Sequence, residues 1–233
     1  AKIYNEKDGA YWVKYYRGVT QSDAQGNLVA LGGSKVFNLS DNLELYGVGN
    51  NKTNVYASVY KVFGDIVSSI YPEYVKTYPE ISSVLDLSYM LNVKSRSTNL
   101  VSADKITYNN TGSLSETVAK RAWSIEFETG SANFTPQALS TLENLYDQLN
   151  IASGLQVEIF GHTDDVGNPS SNMSLSEERA QAVKRWLQNK SSTNYPESRF
   201  AKVQGKGQLE PVADNNTSAG KAKNRRVEIV QGK

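Results

Sequence analysis

The chain has 233 residues, with 25 basic and 24 acidic side chains, a net charge of +1 and no cysteine. The length suits one or two domains, and the balanced charge argues against a nucleic-acid binder, which usually carries a basic excess on one face. The lack of cysteine excludes disulfides, thiolate catalysis and Cys-type zinc sites, and no apolar run approaches the roughly 20 residues needed to span a bilayer.

In chain order, the start at Ala1-Lys2 without Met or a signal sequence points to a processed product or a piece of a longer chain. Residues 11–19, YWVKYYRGV, read as a short amphipathic helix ending at Gly18, and Asp23-Ala24-Gln25-Gly26-Asn27 as a turn. A helix is expected from Leu39 to Tyr46, capped by Ser40 or Asp41. The longest helical pattern runs from Asn54 to Tyr71. In it Val55, Val59, Val62, Phe63, Ile66, Val67 and Ile70 fall at helix spacing, with Pro72 just beyond. Val84 to Tyr89 reads as a last strand or short helix. Twelve of the 14 tyrosines precede residue 110. They suit either a ligand surface or ordinary core-edge positions with polar tips.

Two polar, turn-prone runs, Ser95–Asn99 and Asn109–Ser113, mark a linker. The expected division is a helix-rich segment at 1–95, a linker at 96–117 and a second domain at 118–233. In the latter, Trp123, Ile125 and Phe127 alternate with Ser124, Glu126 and Glu128 as a first strand. Thr135 caps a helix with Pro136 at its first position, and Ala138, Leu139, Leu142, Leu145 and Leu149 form its buried face. Leu155–Phe160 is a second strand. A second helix opens at Ser174, with Glu177 at capping-box spacing, and buries Ala180, Val183 and Leu187. Phe200–Gln204 and Arg225–Val230 are the remaining strands, with a loop and a helical turn between them. The order β-α-β-α-β-β predicts an α+β, two-layer domain with two helices on one face of a mixed sheet.

The loop GHTDDVG after the second strand carries an acidic pair, and Arg179 lies 15 residues beyond Asp164. A strand end and the first turns of the next helix can place these opposite charges across one small space, where a zwitterion would fit. A surface salt bridge between Asp164 and Arg179 uses the same charges. His162 is the single histidine; without zinc-ligand spacing it reads as orienting the loop by hydrogen bonding. Asp165 reads as solvated. Gly205-Lys206-Gly207 lacks a nucleotide fingerprint and reads as a turn.

The runs GHTDDVG, NMSLSEERAQAVKRWL, VQGKGQLEPVADN and NRRVEI, in this order, resemble the OmpA-like peptidoglycan-binding domain over residues 118–233. The resemblance implies that Asp164 takes the ammonium and Arg179 the carboxylate of diaminopimelate in the peptidoglycan stem peptide. These roles agree with the charges. Asn172 is then a polar contact or loop brace, and Thr163 and Leu175 line the site. One of Arg225 and Arg226 is structural and the other faces the wall; sequence does not distinguish them. More loosely, YWVKYYRGVTQSDAQGN, LGGSKVFNLSDNLELYGV, NVYASVYKVFGDIVSSIYPE and VLDLSYM resemble the C-terminal end of a periplasmic ABC-type solute-binding protein. Most of that two-lobed domain is missing here, so apolar surface or a sheet edge is expected to stay exposed unless a partner covers it.

The resemblances together imply a non-covalent wall anchor in the periplasm of a Gram-negative envelope. The expected partners are peptidoglycan, the missing part of a solute-binding domain or an envelope transporter, with no nucleic acid, no cofactor and no metal. No nucleophile–base pair supports an enzyme. Two rivals remain: a wall hydrolase using Asp164 and Asp165 as a carboxylate pair, and a wall-tethered solute-binding component of a transport system, of which this chain is the C-terminal part.

Overall fold

The computed structural model describes residues 19–31, 37–97, 106–108 and 112–233. The expected helix over 11–19 lies outside them except for Val19, and so do residues 98, 99 and 109–111 of the two linker runs.

Val19 opens a strand. β1 (Val19–Ser22) and β2 (Leu28–Leu31) pair antiparallel around the expected turn. There the Asp23 carboxylate accepts the N–H groups of Gln25 at 2.9 Å and Asn27 at 2.8 Å, and Gly26 takes φ 84°. α1 (Leu39–Leu45) is capped by Asn38, two or three residues earlier than expected. Asn38 accepts the Asp41 N–H at 2.9 Å and Asp41 accepts the Asn38 N–H at 3.0 Å, a reciprocal box that places Ser40 and Asp41 inside the helix. α2 (Val55–Ile70) lies within the expected Asn54–Tyr71 pattern, whose two end residues are its caps. The segment expected as one strand or helix at 84–89 is divided between α3 (Ile81–Val84) and α4 (Ser88–Arg96).

The C-terminal half is a four-stranded mixed sheet in the order β3-β6-β4-β5, an α+β arrangement. β3 (Thr117–Trp123) and β4 (Gln156–Gly161) flank β6 (Val227–Gly232) antiparallel, and β5 (Phe200–Gly205) runs parallel to β4. α5 (Ala138–Ile151) and α6 (Pro169–Lys190) cover one face. Between the layers Leu142, Leu145, Val157, Ile159, Val183 and Leu187 have no exposed surface. α7 (Ser218–Asn224) is the expected helical turn before β6.

Three boundaries differ from the sequence reading. The first strand ends at Trp123 rather than beginning there. Six of the seven β3 residues are exposed, so this edge strand is held by its ladder to β6 and shows no apolar alternation. Trp123 and Ile125 still enter the core, and Phe127, outside the strand, forms an isolated bridge to Phe134 and packs at the core's edge. Thr135 does not cap α5: its carbonyl accepts the Ala138 N–H in a turn, and the helix starts at Ala138, leaving Leu139 exposed. α6 starts five residues before Ser174. Asn168 caps it by accepting the Ser170 N–H at 2.8 Å, with Pro169 at the first position.

The two halves touch. α2 packs on α5 through polar groups: Ser58 donates to Asp147 at 2.8 Å, Lys61 to Asn144 at 2.9 Å, and Thr53 bonds the Tyr146 hydroxyl. Within the expected linker, Tyr108 donates to the Ser153 carbonyl at 2.6 Å. The opposite side of α2 is left bare, with Phe63, Ile66, Val67 and Ile70 all exposed.

Candidate functional site

All the expected site residues gather at one end of the sheet, where β4 and β5 finish and β6 begins. The chain leaves β4 at Gly161, and the loop is pinned to its neighbours by backbone. His162 N–H donates to the Arg226 carbonyl and Thr163 N–H to the Gly207 carbonyl, both at 2.9 Å. α6 passes directly beneath. A methyl group on Gly161 would overlap the Ser176 carbonyl, and one on Gly205 would collide with the Glu177 backbone nitrogen. Glycine is therefore required at both strand ends for close approach, not for backbone dihedral. Glu177, expected in a capping box, instead accepts the Gly205 N–H, and the Ser176 hydroxyl accepts the Gly207 N–H at 2.9 Å.

Asn172 acts as a brace. Its side-chain nitrogen donates to the Asp164 carbonyl at 3.3 Å, the Val166 carbonyl at 3.1 Å and Gln208 Oε1 at 2.9 Å. It thereby ties the β4 loop to the loop after β5. Thr163 is buried, and its hydroxyl has no hydrogen-bond partner among the described residues. Leu175 is half-buried one helical turn before Arg179, on the same face of α6.

Asp164 and Arg179 are 8% and 7% exposed, buried deeper than surface ion-pair partners. They do not form the salt bridge that their charges offered. Asp164 Oδ2 pairs with Arg225 Nη1 at 2.6 Å, and Oδ1 accepts the Val166 N–H at 3.2 Å. Arg179 is held from the other side. Its Nε donates to the Ser131 carbonyl at 3.0 Å, and its guanidinium lies 4.8 Å from the centre of the Phe127 ring. Burial first, then the neighbouring Arg225 cation, lowers the Arg179 pKa, and Asp164 opposes the shift. Arginine stays protonated regardless, so Arg179 remains a buried cation with a like charge beside it.

The two arginines that sequence could not tell apart are separated by the structure. Arg226 is buried and donates to the carbonyls of Glu210 and Asn224. Arg225 points into the site. Phe127 and Ser131 are the members that sequence reasoning missed.

His162 differs from its expected role. It is 1% exposed and neither ring nitrogen makes a hydrogen bond, so its side chain supports the loop by packing. Burial chiefly, with help from Arg226, pushes its pKa down to about 4, while Glu228 and Glu210 oppose. The adjacent carboxylates of the hydrolase rival do not converge: Asp164 turns to Arg225, and the exposed Asp165 turns to Lys221 at 3.8 Å. No group of three or more His, Cys, Asp or Glu side chains that could hold a metal ion occurs among the described residues. What remains is a cluster of one carboxylate, two guanidiniums and an unsatisfied hydroxyl, a set of groups suited to a small polar ligand of mixed charge.

Residues 126–225 match the model of the OmpA family. Outer membrane protein A of Bordetella avium is 35% identical over 103 residues, which cover 44% of this chain and 51% of that protein. Peptidoglycan-binding protein ArfA of Mycobacterium tuberculosis is 36% identical over 106 residues, 46% of this chain and 31% of that one. A solved structure of the cell wall anchor of the T6SS from Pseudomonas aeruginosa is 28% identical, covers 51% of this chain and 85% of its own, and superposes with a TM-score of 0.41. The chain spans about half the length, or less, of these curated relatives. The matches give no support to the expected resemblance of the N-terminal half to a solute-binding protein.

Proposed function

Since the C-terminal region is an OmpA-like domain, we propose that it binds peptidoglycan without covalent chemistry and anchors the chain to the cell wall in the periplasm of a Gram-negative envelope. Its ligand is the diaminopimelate of the stem peptide. Asp164 receives the side-chain ammonium and Arg179 the side-chain carboxylate. Asn172 holds the loop in shape, and Thr163 and Leu175 border the ligand. Residues 1–95, joined through 96–117, form the part that this grip holds at the wall.

The observation that carries this reading is the mounting of Arg179. A guanidinium 7% exposed is fixed by the Ser131 carbonyl and the Phe127 ring, and among the described residues only its Nε is engaged. Its two terminal nitrogens therefore remain for a planar carboxylate. A buried cation held this way without an anion is costly, and a ligand carboxylate relieves that cost.

The test is co-sedimentation with purified diaminopimelate-type peptidoglycan. Wild type is expected to pellet. Asp164→Ala and Arg179→Ala are each expected to weaken binding by roughly tenfold or more, the value of a charge-assisted hydrogen bond. Both should keep the wild-type circular dichroism spectrum. The same incubation should release no muropeptides. A wild-type protein that stays in the supernatant would overturn the reading, and retention of binding by both variants would remove these two residues from it.

A further inference from the structure

The carboxylate assigned to the ligand ammonium already holds a cation. Arg225 Nη1 sits 2.6 Å from Asp164 Oδ2, and the other carboxylate oxygen accepts the Val166 N–H. An incoming ammonium therefore competes with Arg225 for this carboxylate and, where it wins, exchanges with it. The exchange frees a guanidinium beside a second one, that of Arg179. Arg225 stays at the mouth of the site, because its side chain is 47% exposed whereas that of Asp164 is 12% exposed.

Among the described residues Arg225 has no second ion-pair partner. Nearby carboxylates are engaged: Asp165 with Lys221, Glu210 with Lys206, and Glu228 with Lys120 and Arg226, while Asp214, Glu126 and Glu128 accept from Asn216, Thr135 and Asn133. A head group with one ammonium and one carboxylate satisfies Asp164 and Arg179 but leaves Arg225 unpaired. A ligand with a second carboxylate restores the balance.

Resting on the diaminopimelate reading above, we infer that this site prefers stem peptides in which diaminopimelate is the last residue, its main-chain carboxylate free to pair with the Arg225 displaced from Asp164. Such a residue carries one ammonium and two carboxylates. When a further amino acid follows, the main-chain carboxylate becomes an amide and that partner is lost. The site would thus read the length of the stem as well as the identity of its third residue. Arg225 is the specificity-determining side chain.

The experiment measures binding of the intact chain to two soluble probes by calorimetry. One is an N-acetylmuramyl tripeptide ending in diaminopimelate; the other is the same tripeptide with its terminal main-chain carboxylate converted to a carboxamide. Wild type is expected to bind the acid roughly threefold to tenfold more tightly, the range for a half-exposed, charge-assisted pair. Arg225→Gln is expected to bring the ratio to about one, and to bind the carboxamide at least as tightly as wild type, because Asp164 no longer has to release a cation. Equal binding of both probes by wild type overturns the inference, as does an undiminished preference in Arg225→Gln. Wild type that binds neither probe overturns the diaminopimelate reading itself. A measurement independent of any variant is salt, which screens a half-exposed pair: the wild-type preference must shrink toward one as salt rises, and a preference that salt leaves unmoved overturns the inference.

Discussion

At the scale of single residues, burial and burial's exceptions decide what each charge does. His162 is neutral in the fold, with a pKa near 4, whereas in the unfolded chain it titrates near 6.5. The unfolded chain therefore binds the extra proton first. The stability that neutral His162 contributes is complete above about pH 6.5 and is lost as pH falls toward about 4, a total of about 3 kcal/mol. Urea unfolding of wild type and His162→Phe at about pH 7.5 and about pH 4.5 should show a steeper loss in wild type, with the difference between the proteins measuring this one group. That Asp164 and Arg179 come to one end of the sheet was legible in the strand–loop–helix order around them; their roles toward a ligand belong to the proposal. Arg225 was not legible. Adjacent residues entering a strand point to opposite faces, and nothing in the pair Arg225-Arg226 says which face meets Asp164. Phe127 and Ser131 were hidden for another reason. They act across the chain on Arg179, and apolar alternation assigned Phe127 to a strand that stops four residues earlier.

At the scale of elements, the two strand-end glycines set how closely helix and sheet approach. Gly161 could be read as the end of β4. That α6 lies against it required the packed structure, because the limiting atom, the Ser176 carbonyl, belongs to another element. Gly161→Ala is expected to cost about 3 kcal/mol, as overpacking against backbone cannot be relieved by a side-chain turn; a urea midpoint shift measures it. Glycine at Gly26, where φ is 84° but nothing crowds a Cβ, has a different justification. Most elements were legible from periodicity, whereas the caps expected at Ser40 or Asp41, Thr135 and Ser174 are all displaced. These displacements share one cause: a cap is read on local chemistry alone. The Asn168-Pro169 pair, also visible in the sequence, gives α6 an earlier cap. β3 illustrates the limit of pattern, since an edge strand with solvated side chains has no alternation to read.

At the scale of the whole molecule, the C-terminal sheet and its two helices enclose a core of their own, while α2 is attached to it by polar contacts on α5. Residues 112–233 alone are therefore expected to fold and to pellet with peptidoglycan as the intact chain does. Their melting temperature should be lower, because the Tyr146 hydroxyl loses Thr53 and Asp147 loses Ser58. Co-sedimentation and thermal unfolding of the fragment check both statements. The N-terminal half carries an exposed apolar stripe from Phe63 to Ile70; the expectation of such a surface rested on the solute-binding-protein resemblance, which the matches do not support. The sequence did not foretell that this half would dock by its polar side. The register of β3 on β6 also has a mechanical meaning. Thr117, where the chain enters the sheet, lies opposite Gly232, and Trp123 lies opposite Val227. The site, at Asp164 and Arg225, is at the Val227 end. If the domain grips the wall as proposed, a tug between the wall and the N-terminal half runs lengthwise along the strands. The hydrogen bonds joining β3 to β6 lie across that direction, so they share the load together in shear instead of opening one after another like a zip.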